Sequence, residues 1–195
     1  MEPGYVLEIN DGNGWATVAT PAAGDASASL TGLTNGRSYR IRLSAVNAQG
    51  TGSSTSEVVG MPAAPASAPR TLTSQPYAPG VVHLSWVAPA SDGGFTITGY
   101  RVERAVVVTG PWTLITANSG TTDGSYEVTG LTGGQTYYFR VAAVTSVGAG
   151  ITETTSVVAV AQASAPQGMS TVIGDRQATV SWSTPTRAGG GTISG

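Results

Sequence analysis

The stretch GLTGGQTYYFRVAAVTSVGAG, Gly130–Gly150, decides the fold. Between Thr136 and Val144, the residues Tyr137, Phe139, Val141 and Ala143 alternate with Tyr138, Arg140 and Ala142. A period of two puts the first set on one face of a β-strand and the second on the other. Gly133-Gly134 before the run and Gly148-x-Gly150 after it are turn signals. The stretch has a twin, GLTNGRSYRIRLSAVNAQGTG at Gly32–Gly52, 98 positions upstream. HLSWVAPASDGGFTITG at His83–Gly99 returns as TVSWSTPTRAGGGTISG at Thr179–Gly195, at an offset of 96. Gly4-Tyr5 returns as Gly99-Tyr100, at 95. Three matches at nearly one spacing describe a tandem array of about 96 residues per unit.

On that period residues 66–163 are a complete repeat. Residues 1–65 are a partial repeat holding strands C to G, and residues 164–195 a partial repeat holding strands A and B. Two linkers fit these boundaries: PAAPASAP at Pro62–Pro69 and AVAQASAP at Ala159–Pro166. Such stretches stay extended and semi-rigid, so adjacent units are expected to stack end to end with limited swing.

In the complete repeat, strand A is expected near Arg70–Ser74 and strand B at Val81–Val87, with Val82, Leu84 and Trp86 inward. Strand C follows at Ile97–Arg104 with Tyr100 and Val102 inward, and C′ at Trp112–Thr116. Strand E is placed at Ser125–Gly130, F at Thr136–Val144 and G at about Glu153–Val160. Seven short strands with regular turn signals argue for an all-β, immunoglobulin-like sandwich.

Leu131-Thr-Gly-Gly-Gln-Thr-Tyr137 looks like a tyrosine corner before strand F. With the strand-B Trp86 and the Gly148-x-Gly150 turn, it resembles the fibronectin type III family. Leu33, Tyr39, Gly50 and Gly52 carry the same marks in the first repeat, and Trp182 marks strand B of the last. The resemblance implies tandem seven-stranded sandwiches of sheets ABE and C′CFG, usually spacer or interaction modules outside the cytoplasm. One departure is Gly133-Gly134, where family members often carry Pro-Gly. A buried Tyr137 needs a partner for its hydroxyl, and a backbone acceptor a few residues upstream is expected to supply it.

Composition narrows the function. The 195 residues include 27 Gly, 11 Pro, no Cys and one His, with a net charge of −2. Every one of the nine basic residues is Arg. Disulfides, thiolate chemistry and multi-histidine metal sites are excluded, and no basic footprint for nucleic acid is present. No apolar run reaches the roughly 18 residues of a membrane span, and MEPGYVLEIN lacks the marks of a signal peptide. The Lys-free, Ala/Gly/Thr/Val-rich composition resembles arrays of high-GC bacteria, in which such units accompany secreted polysaccharide-degrading enzymes, adhesins or phage tails.

No catalytic constellation is expected. His83 and Ser85 point outward on strand B, and Glu127 on strand E shares their face. The flat outer side of a sheet offers neither oxyanion hole nor cleft, so a solvated polar cluster is the reading. Asp11-Gly-Asn-Gly14 has loop oxygens for calcium but reads better as a C–C′ turn. No metal or cofactor site is expected. Trp15 and Trp112 open strand C′ in equivalent positions and read as sheet-edge packing rather than a glycan platform. The integrin-type tripeptide Arg-Gly-Asp is absent; Gly174-Asp175-Arg176 is the nearest string.

The candidate binding face is the outer side of the C–F pair: Arg101, Glu103, Tyr138 and Arg140, with Arg40 and Arg42 recurring in the first repeat. Arg and Tyr are favoured at binding hot spots, whereas a charge ladder would only keep the face soluble. The structural residues are Trp86, Leu131, Tyr137, Leu33, Tyr39 and Trp182. The reading is a non-catalytic spacer or interaction module of a larger secreted or cell-surface protein, with neighbouring repeats as its partners. The alternative is an accessory module that binds a surface protein or polysaccharide. The partial repeats are expected to be loosely held. Filling the gap in the first by the A–B hairpin of another molecule would be heterologous and would propagate into filaments.

Overall fold

The computed structural model describes residues 4–190 and Ile193. Met1–Pro3, Gly191, Thr192, Ser194 and Gly195 lie outside the described residues, so the Thr179–Gly195 match is seen only in part. Two compact units result: Met1–Pro65 with Ser91–Thr96, and Ala66–Ala90 with Ile97–Gly195.

The described residues of the first unit form one sheet. β1 (Gly4–Asn10), β2 (Trp15–Ala19), β3 (Tyr39–Asn47) and β4 (Gly50–Ser54) run in the order β2-β1-β3-β4, and β5 (Val58–Gly60) also pairs with β3. Alternation along β1 and β3 puts Tyr5, Leu7, Ile41 and Leu43 on one face, where they line a hollow of about 350 Å³ with Leu30 and Ala28. Ser27–Leu30, the positions of strand E, form no strand.

In the second unit, residues 66–160 form two sheets. Their strands are β6 (Arg70–Ala78), β7 (Val81–Val87), β8 (Gly99–Ala105), β9 (Thr113–Thr116) and β10 (Ser125–Val128). β11 (Thr136–Thr145), the two-residue β12 (Gly148–Ala149) and β13 (Glu153–Val158) follow. One sheet is ordered β10-β7-β6; the other is β12-β11-β8-β9, with β13 also on β11. These are the expected ABE and C′CFG sheets. Strand A runs four residues past its expected end, through Pro76. That proline is tolerated because β6 is an edge strand with register shifts on either side of the Thr73–Pro76 pairing. Trp112 lies one residue before β9 instead of opening it.

The alternating residues close the core. Val82, Leu84 and Trp86 meet Tyr100, Val102, Val128, Phe139 and Val141, all buried, together with Leu131 and Tyr137. Trp86 meets Tyr100 edge-on, ring centroids 4.9 Å apart at 66°. Its Nε1 is buried with no partner among the described residues.

The tyrosine corner is present with its hydrogen bond reversed. Tyr137 Oη accepts from the Thr132 N–H at 3.0 Å, and Tyr39 Oη from the Thr34 N–H at 2.9 Å. The sequence reading expects a backbone acceptor; the backbone group present is a donor, five residues upstream in each case. Leu131 is buried beside Tyr137, whereas Leu33 is only half-buried in the first unit.

β14 (Gln167–Gly174) and β15 (Gln177–Ser183) form a two-stranded hairpin. Trp182 sits in the strand-B position but is 63% exposed, against 6% for Trp86. The core role expected of it is not realised, because no facing sheet covers the hairpin among the described residues. Residues 4–60 and 167–183, expected to be loosely held, carry paired strands.

Replacing Trp86 with Ala removes the bulkiest contact between the sheets and is expected to cost about 3–5 kcal/mol. Tyr137→Phe leaves the Thr132 N–H without its acceptor and should cost about 1–2 kcal/mol. Urea unfolding of both variants beside the parent measures both; an unchanged midpoint for Tyr137→Phe refutes the corner's contribution.

Candidate functional site

The candidate face is built by register. Arg101, Glu103 and Ala105 alternate with the core residues Tyr100 and Val102 along β8, so they share its outer side. On β11 the residue opposite Glu103 is Arg140, and Tyr138 stands opposite Ala105. Glu103 Oε1 accepts from Arg101 Nη2 at 2.8 Å, and its Oε2 accepts from Arg140 Nε at 2.6 Å. The Glu103 side chain is only 6% exposed, roofed by the two guanidiniums. Arg140 in turn lies over the Trp112 ring, 4.5 Å from its centroid. Three of the four candidate residues are thus joined; Tyr138 stands on the same face with its side chain half-buried.

The first unit repeats the arrangement. Arg42 Nε donates to Glu8 Oε2 at 2.7 Å, across the Glu8–Arg42 register pair of β1 and β3. Arg42 lies 4.1 Å from the Trp15 ring centroid. The Glu8 hydrogen bond raises the Arg42 pKa further above its ordinary value. Arg40 makes only a loose, exposed pair with Glu57 at 3.7 Å. Sequence reading found the arginines and the tryptophans separately and missed Glu8. The signal that joins them is the repeat itself: Glu8, Trp15 and Arg42 recur as Glu103, Trp112 and Arg140 at offsets of 95, 97 and 98.

The other candidates are engaged elsewhere. Glu127 stands opposite His83 and Ser125 opposite Ser85. Ser85 Oγ is 2.8 Å from Thr73 Oγ1, and the His83 ring lies 5.4 Å from Tyr77. In the Asp11–Gly14 turn, Asp11 Oδ1 accepts from the Asn13 N–H at 3.1 Å while its Oδ2 pairs with Arg37 at 2.9 Å. Asn10 Oδ1 accepts from the Gly12 N–H at 2.8 Å. Asn10 Oδ1 and Asp11 Oδ1 close the turn, and Asp11 Oδ2 is held by Arg37.

The model of the fibronectin type III domain matches residues 2–61 and 67–160. This chain belongs to the fibronectin type III family. It is 35% identical over 115 residues to mouse fast-type myosin-binding protein C, which covers 57% of this chain and 10% of that protein. To human myomesin-2 it is 34% identical over 128 residues, 61% of this chain and 8% of the relative. Chicken protein sidekick-1 is 40% identical over 94 residues, 48% of this chain and 4% of the relative. The chain therefore spans a tenth or less of these relatives. A crystal structure of chicken CNTN1 FN1-FN3 domains aligns with a TM-score of 0.45 and 16% identity, over 81% of this chain and 56% of that one. These relatives are animal proteins and lend no support to a bacterial or phage origin.

On this fibronectin type III sheet, protonating Glu103 would break its contacts with Arg101 and Arg140. The Arg140 hydrogen bond holds its carboxyl below the usual range; burial opposes this and the Arg101 hydrogen bond adds to it. A folded-state pKa depressed in this way contributes stability above the unfolded carboxylate range, lost as pH falls through the folded value. Arg140→Ala is therefore expected to cost about 1–3 kcal/mol near pH 7, with the difference from the parent shrinking below the titration of Glu103. Urea midpoints of both proteins at pH 7 and pH 3 give the comparison, and an equal penalty at both values rules out the charged contact.

Proposed function

We propose that the chain is a non-catalytic tandem spacer, three repeats at 1–65, 66–163 and 164–195, within a larger secreted or cell-surface protein. One observation carries the reading. The side chains with the best binding chemistry are already bonded to each other, in the same Glu–Arg–Trp arrangement in both units. A buried carboxylate with two arginines, one stacked on an indole, holds strands C, C′ and F together and leaves little of itself for a ligand. The outside location rests on the usual use of the family, and no helix among the described residues is long and apolar enough to cross a membrane.

A second reading has its own support. The Arg101 side chain is 41% exposed and shares the face with Tyr138. That pair offers a cation and an amphipathic ring to a surface protein or polysaccharide, as an accessory module of a polysaccharide-degrading enzyme or a phage tail would. Retention of the 195-residue chain on cellulose, chitin and bacterial cell wall separates the two, run beside an Arg101→Ala/Tyr138→Ala variant. The spacer reading expects both proteins in the flow-through. Retention of the parent that the variant loses would make the face a recognition site.

A further inference from the structure

The two linkers are gripped in the same way. In the first unit the Gly36 N–H donates to Pro62 O at 2.8 Å, and the Ala64 N–H donates to Gly93 O at 3.1 Å. In the second, the Gly134 N–H donates to Ala159 O and the Ala161 N–H to Gly189 O, both at 2.7 Å. Each set falls within one compact unit, since the loop Ser91–Thr96 belongs to the first. Each linker thus gives a carbonyl to the turn before the long strand β3 or β11. Two residues later it gives an N–H to a Gly-Gly loop after β7 or β15.

The loops agree in backbone as well. φ is 74° and 94° at Gly93 and Gly94, and 72° and 92° at Gly189 and Gly190. A Cβ added to Gly93 would fall on the Ala64 carbonyl oxygen, and one on Gly189 on that of Ala161. The first loop is braced from within: Gly93 N–H donates to Ser91 Oγ at 3.2 Å, and Gly94 N–H to Asp92 Oδ1 at 2.8 Å. The second adds contacts with the linker: Ser164 N–H to Arg187 O at 2.9 Å, and Arg187 N–H to Ser164 Oγ at 3.2 Å. A linker of Pro and Ala offers little side chain to hold. Only its backbone can be gripped, and only a loop without Cβ atoms comes close enough.

We propose that Gly93-Gly94 and Gly189-Gly190 are clasps that dock backbone to backbone on the linker upstream and hold its backbone at Ala64 and Ala161 in place. The inference deepens the spacer reading, but amide exchange reads it rather than matrix retention, so either can fail without the other.

The test uses the whole 195-residue chain. The Ala64 and Ala161 amides should exchange at least about tenfold more slowly than in an unstructured peptide. Gly93→Ala should release Ala64 and leave Ala161 protected. Gly120→Ala is the control: its φ is also 74°, but nothing lies within 4 Å of its added Cβ, so both amides should stay protected. Free-peptide exchange in the parent, or equal Ala64 protection in the two variants, overturns the clasp. Ala161→Pro deletes the donor and leaves the loop intact. Backbone order parameters at Gln162 and Ala163 should then fall from about 0.85 to below about 0.6. Unchanged values there overturn it as well.

Discussion

Everything in the complete sandwich depends on Trp86 meeting Tyr100 between its two sheets. The chain supplies its own control. Trp182 occupies the same strand position in the last repeat, on a hairpin of the same kind, and is 63% exposed where Trp86 is 6%. Local sequence makes the strand in both cases; the facing sheet alone makes the core. Burial of an indole is worth several kcal/mol only when a partner surface displaces the water. In the first unit the converse holds: Tyr5, Leu7, Ile41 and Leu43 line an open hollow. Ser27–Leu30 beside that hollow form no strand.

The outer side follows from the same economy of contacts. With 9 basic and 11 acidic residues in 195, the chain has few charges to place. It spends several on one motif, a carboxylate between arginines with a guanidinium over an indole. Such a motif ties three strands, because Glu103 comes from β8, Arg140 from β11 and Trp112 from the entry to β9. A face held like this resists splaying at the C′ edge, as the proposed spacer role would require. It also explains why arginine, planar and able to stack and donate together, stands at these positions where lysine could not do both.

Sequence reading reached the repeat period, the strand order and the inner residues because these are one-dimensional patterns: an offset, a period of two, turn residues. What it missed depends on direction or on the third dimension. The tyrosine corner could be located from Leu131 and Tyr137, but whether the hydroxyl meets a donor or an acceptor depends on how one peptide is turned. Glu103 reads as an outward-facing charge by alternation and is outward-facing, yet it is buried, because the side chains of Arg101 and Arg140 fold over it. Alternation reports the face, not what covers it. The extension of β6 through Pro76 was hidden for another reason: strand A is expected at a sheet edge, where proline is tolerated, but how far the strand continues depends on register shifts that the sequence does not display.

The two carboxylate clasps differ in a way that shows how burial and partner number go together. Glu8 has a 21% exposed side chain and one arginine, Arg42. Glu103 has a 6% exposed side chain and two, Arg101 and Arg140. Val6 stands in the first unit where Arg101 stands in the second. Deeper burial raises the cost of keeping a carboxylate ionised, and that cost is met only by further hydrogen bonds to the charged form. Glu8, the more exposed of the two, has one arginine partner, whereas the enclosed Glu103 takes a donor on each oxygen. The second arginine is therefore accounted for by the depth of Glu103 without appeal to a ligand, which is why the recurrence of this motif argues for structure before recognition.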